Sequence, residues 1–119
     1  MTIRNTQNYM SQLWDWGFLD QCFEGTKIKV TDIDGFVERN GKFLLLECKS
    51  HDALIPMGQD IMFKKMISTG LFTVLVLWGE ANKPERCELR TSSKTYIYPN
   101  ADVSFIQKLV HGWFISVNK

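Results

Sequence analysis

An Asn-Gly dipeptide at positions 40 and 41 separates two apolar stretches, and no other feature constrains the fold of this chain so tightly. Both central positions of a two-residue type I′ turn need φ > 0, which Asn and Gly accept at least cost. Residues 31–50 therefore read as a β-hairpin. Pairing Arg39 with Lys42 sets the register, and the rest follows by counting outward. Asp34 falls opposite Glu47, and Asp32 opposite Lys49. Opposed residues share a face of the sheet, with Cβ atoms about 4.5–5.5 Å apart. Two carboxylates so placed repel each other. A divalent cation between them removes the repulsion and takes both as oxygen ligands.

Charges on a hairpin most often form its solvated face. Here Glu47 and Lys49 close the run Phe-Leu-Leu-Leu, which is apolar on both faces and so belongs inside a covered sheet. A charge at the end of a buried strand is costly unless it is paired or bound to metal. Register decides the matter, because a slip of one residue moves every side chain of a strand to the other face.

Asp34-Gly35, followed by Glu47-Cys48-Lys49 at the end of the next apolar strand, resembles the PD-(D/E)XK nuclease superfamily. That superfamily includes restriction enzymes, Holliday-junction resolvases and phage exonucleases. Gln59 at the start of the following helix, Gly70 and the apolar run 72–78 continue the pattern. The spacing is most similar to the small virus-type replication–repair nucleases, over residues 28–78. Ile33 stands where the family often has proline, a departure with no chemical consequence.

The resemblance implies an α/β fold with a restriction-endonuclease-like core, a mixed sheet flanked by helices in an αβββαβ-like order. It implies a nuclease that hydrolyses phosphodiester bonds in DNA, most simply an endonuclease, with structure-specific cutting as one form. Asp34 and Glu47 would hold Mg²⁺ or Mn²⁺, which hard oxygen ligands select. The backbone carbonyl of Cys48 would add a ligand, and Gln59 would sit beside the metal. A helix-borne acid serves some members as an extra ligand, and Glu24 is the candidate here. Lys49 would orient the attacking water or offset charge on the phosphate, since an ordinary lysine is protonated at neutral pH and a poor base. Gln59 also has a plainer reading as an exposed residue of a helix's first turn.

The chain has 119 residues and a net charge of +1. That length suits one domain, residues 1–119. No global field advertises nucleic acid, so a DNA-binding surface must be local. Lys64, Lys65, Arg86 and Arg90 are its candidates, although lysine pairs on helices are most often solvated. The cysteines Cys22, Cys48 and Cys87 have neither zinc-site spacing nor the even count of a disulfide framework. With a polar start and no apolar run near membrane length, the reading is a reducing, cytoplasmic setting away from membranes.

In chain order, the spacing predicts a helix over residues 5–24, strands over 27–37 and 42–49, and a loop over 50–58. A helix over 58–69 follows, with Gln59 and Phe63 on one face, and then a buried strand over 71–78. A helix between two strands makes those strands parallel. Residues 79–86 read as a polar loop, 87–90 and 94–98 as a short edge hairpin, and 101–116 as a closing helix. Trp14, Trp16 and Phe18 read as core aromatics before a base-stacking surface. Excess apolar surface at Trp113, Phe114 and Ile115 leaves room for a homodimer or a partner protein. The alternative function is a catalytically inactive DNA- or protein-binding module on the same fold.

Overall fold

The computed structural model describes residues 13–119, in two compact units, Met1–Asp32 and Ile33–Lys119. In the first unit a 3₁₀ helix runs over Trp16–Phe23, with the Asp15 carboxylate accepting the Gly17 N–H at 2.8 Å. The expected longer α-helix begins among residues outside those described. Within the described part, no side chain of this helix is buried. An α-helix draws most of its stability from packing one face, and here Trp16, Leu19 and Phe23 are only half-buried; Gly17 lowers its propensity further. The reading of Trp14 and Phe18 as core is corrected accordingly, because they are 74% and 58% exposed. The rings of Trp14, Trp16 and Phe18 instead contact one another in sequence.

The second unit is α/β. Its strands are β1 (Gly35–Arg39), β2 (Lys42–Lys49), β3 (Phe72–Glu80), β4 (Lys83–Arg90) and β5 (Thr95–Tyr98), with helices α1 (Met57–Ser68) and α2 (Val103–Val117). They form one five-stranded mixed sheet in sequential order. β2 and β3 are parallel, joined through α1, and all other neighbours are antiparallel. The turn is type I′ as expected, with φ of 53° at Asn40 and 77° at Gly41, and Arg39 pairs with Lys42.

Strand alternation sends side chains to two separate cores. Leu44, Leu75 and Cys87 meet Ala101 and Trp113 on the α2 face. Leu45, Val74, Val76 and Trp78 meet Phe63 of α1 on the other. Each fully buried Leu, Val or Phe contributes about 1.5–3 kcal/mol. This explains why β2 and β3 are apolar at successive positions.

Two boundaries differ from expectation. The strand predicted over 27–37 joins the ladder only at Gly35. The polar stretch 79–86 is not a loop: β3 runs on to Glu80, and β4 returns from Lys83. The ladder shifts between Trp78 and Gly79, where φ is 150° and an added Cβ would lie 2.3 Å from the Lys83 carbonyl oxygen. Only glycine fits that close approach.

A candidate carboxylate site at the end of β2

The face of the sheet that α1 covers also carries the candidate site. Glu47 and Lys49 alternate onto the same side as Leu45, while Cys48 points to the other. Leu45 lies under α1 and is closed off. Two residues further on, Glu47 is still buried, with 8% of its surface exposed. The Lys49 Nζ lies 3.6 Å from Glu47 Oε1, and both side chains are largely covered.

Asp34 reaches the site by an unexpected route. The ladder between β1 and β2 stops at Gly35 and Leu46, one pair before Asp34 would face Glu47. In a continued ladder the Cys48 N–H would bond to the backbone of the preceding strand. Instead it donates to the Asp34 carboxylate, Oδ2, at 2.8 Å. The side chain replaces a backbone acceptor and ends the strand pairing, as a cap ends a helix. One Asp34 oxygen is thereby fixed and the other stays available. The Cys48 carbonyl lies on the same side of β2 as its N–H, and no hydrogen bond reaches it among the described residues. Asp32 lies beyond the ladder in the first unit, where its carboxylate accepts the Trp16 indole N–H at 2.9 Å. The expected Asp32–Lys49 pairing is therefore replaced.

Gln59 comes from the first turn of α1. Its Oε1 is buried and has no hydrogen-bond partner. Such an atom costs about 1–3 kcal/mol unless something donates to it. Burial pushes the Glu47 carboxyl above its ordinary pKa. The adjacent Gln59 amide opposes that shift, the Asp34 charge adds to it, and the Lys49 ammonium opposes it. The Cys48 thiol is also pushed up, first by desolvation and then by the two carboxylates, so it stays protonated although the residue is exposed.

The donors gathered here are two carboxylates, a backbone carbonyl and an orphaned amide oxygen. All are oxygen, the set that suits Mg²⁺ or Mn²⁺. Among the described residues, no three His, Cys, Asp or Glu side chains converge on one point. Mg²⁺ is commonly held by one or two carboxylates, with water completing its shell, so the residues present fit that ion. Glu24 belongs to the first unit, where it closes the 3₁₀ helix.

The four cations read as a DNA surface are differently placed. Arg90 is only 12% exposed at its side chain and is bonded to Asp60 and Glu88 at 2.7 Å each. Its assignment to a DNA surface is corrected: a covered guanidinium holding two carboxylates is spoken for. Lys64 pairs with Asp60 at 2.9 Å yet stays largely exposed. Arg86 lies 4.1 Å from the Trp78 ring centroid and donates to the His51 carbonyl at 3.1 Å. Lys65 is exposed.

The sequence reading missed how the loop after Lys49 is fastened. Trp78 Nε1 donates to the Ala53 carbonyl at 2.7 Å, and His51 Nδ1 meets Glu85 Oε2 at 2.8 Å. No local pattern announces contacts between residues 25 and 34 positions apart. All three cysteines are free, and among the described residues no helix is long and apolar enough to cross a membrane. No known protein family, curated protein or solved structure matches the chain.

Proposed function

We propose that this chain is a divalent-cation-dependent nuclease that hydrolyses phosphodiester bonds in DNA, on a core of the PD-(D/E)XK kind. One observation carries the reading. A buried carboxylate, Glu47, sits within reach of Asp34, Lys49 and the unpartnered Oε1 of Gln59. Burying the Glu47 carboxylate near a second acid costs free energy that the sheet's own stability does not require.

Asp34 and Glu47, with the Cys48 carbonyl, would hold Mg²⁺ or Mn²⁺. That ion supplies positive charge that acidifies water and polarises a phosphoryl oxygen. Lys49 carries donors and no acceptor. Beside Glu47 it orients the attacking water or meets charge developing on the phosphate. Gln59 Oε1 accepts a hydrogen bond from that water and holds it in line. Cys48 presents its backbone, while its thiol faces away from Glu47.

A second reading, a non-catalytic binding module, draws on the Glu47–Lys49 ion pair, which already offsets part of the charge. Cleavage separates the two. Linear, nicked, flapped and four-way DNA would be incubated with the protein and Mg²⁺ or Mn²⁺. Lys49→Ala should cut at a rate lower by about 10²-fold or more, with Mn²⁺ affinity nearly intact. Glu47→Ala should lose both. Wild-type cleavage by Lys49→Ala would sink the nuclease reading, and DNA binding in EDTA together with no cleavage when Mg²⁺ or Mn²⁺ is supplied would favour the module.

A further inference from the structure

We propose that Arg90 is a positioning residue for this site: through Asp60 it fixes the first turn of α1 and so holds Gln59 beside Glu47. The role given to Gln59 rests on the nuclease reading; the mechanical link rests on geometry. α1 begins without the usual fastening. Its N-cap is Pro56, and no side chain closes the free amides of its first turn. Gly58 follows, where an added Cβ would touch nothing, so packing does not require the glycine. A first turn built this way needs an external anchor.

Arg90 supplies one. Its Nη1 donates to Asp60 Oδ1 at 2.7 Å, and its Nε donates to Glu88 Oε2 at 2.7 Å. The guanidinium carbon also lies 5.8 Å from the Phe63 ring centroid, one turn further along α1. A planar guanidinium holds two carboxylates in a fixed relation that a lysine cannot copy. One carboxylate is on β4 and the other on α1, so the helix start is tied to the sheet. Glu88 pairs with Val76, and Val76 with Glu47, so the anchored strand position lies in one cross-strand row with the site. Gln59 is the residue before Asp60, and its buried Oε1 depends on where that turn sits. Lys64 also reaches Asp60 at 2.9 Å, but its largely exposed ammonium makes a looser tie.

The test follows the Gln59 side-chain amide by ¹H–¹⁵N NMR in metal-free protein and measures Mn²⁺ affinity by calorimetry. Arg90→Gln should shift and broaden the Gln59 signal and weaken Mn²⁺ binding by about 10-fold, the scale of residues that orient a metal's ligands. Asp60→Asn, which leaves the Arg90–Glu88 bond in place, should do the same and serves if Arg90→Gln folds poorly. Arg90→Lys should not restore either readout. In a Gln59→Ala background, Arg90→Gln should cause no further loss of Mn²⁺ affinity although the melting temperature still drops. An unchanged Gln59 signal and Mn²⁺ affinity in Arg90→Gln would overturn the proposal, as would a further affinity loss in the Gln59→Ala background. If the wild type binds no Mn²⁺, the nuclease reading falls by itself, and the Gln59 signal alone then decides whether Arg90 positions the turn.

Discussion

Glu47 concentrates the conflict between folding and function. Its carboxyl is buried and therefore titrates above its ordinary value in the folded chain. In the unfolded chain it ionises at that ordinary value. Between the two pKa values the native state binds more protons, so stability falls as pH rises through this window. The cost is absent below the ordinary pKa and complete above the folded one. Glu47→Gln removes the titration. Its melting temperature relative to wild type should therefore climb as pH is raised from acid to neutral, without metal. Thermal scans of both proteins from pH 4 to 8 test this, and a constant difference across that range would show that the carboxylate carries no burial cost. Adding Mn²⁺ at neutral pH should stabilise the wild type alone, by binding the native state.

At the scale of elements, the sequence was most legible where one local rule dominates. The Asn40-Gly41 turn, the span of β2 and the parallel β2–β3 pair follow from turn chemistry and apolar runs. The first half of β4 was hidden because the stretch 83–86 is polar, and the stacking of Arg86 on the Trp78 ring leaves no local sign in the sequence. The end of β1 was hidden because a side chain, Asp34, replaces a backbone partner. Of the candidate site, Asp34, Glu47 and Lys49 were legible from hairpin register, and Gln59 from the family resemblance. The role of Arg90 was not, since its partner Asp60 lies 30 residues away. Two glycines give opposite expectations. Gly41 has φ of 77°, so Gly41→Ala should cost about 1–2 kcal/mol. Gly58 lies in α1 with open space around it, so Gly58→Ala should gain about 0.5–1 kcal/mol. Urea unfolding of both variants checks the signs, and a destabilised Gly58→Ala would mean that the first turn of α1 needs its freedom.

For the whole molecule, what matters to DNA binding is how the candidate cations are engaged within the fold. The net charge of +1 is the difference between 14 Lys and Arg and 13 Asp and Glu. Arg90 is taken by Asp60 and Glu88 and Lys64 leans on Asp60, whereas Arg86, stacked on Trp78, is bonded to no acid among the described residues. Each phosphate a protein neutralises on duplex DNA contributes about 0.9 to the slope of log K against log salt. If Lys49, Lys65 and Arg86 are the cations that meet phosphate, that slope should be about −2 to −3. Lys65→Ala should make it shallower by about 0.9, because that lysine is exposed and no acid is bonded to it among the described residues. Arg90→Gln should leave the slope unchanged, since its charge is already spent within the fold. Fluorescence anisotropy on a labelled duplex, in EDTA and across a salt series, measures all three proteins. A slope that flattens in Arg90→Gln would mean that DNA pulls the guanidinium away from Asp60. Arg90 would then be a phosphate ligand after all, and α1 would have to hold Gln59 without it.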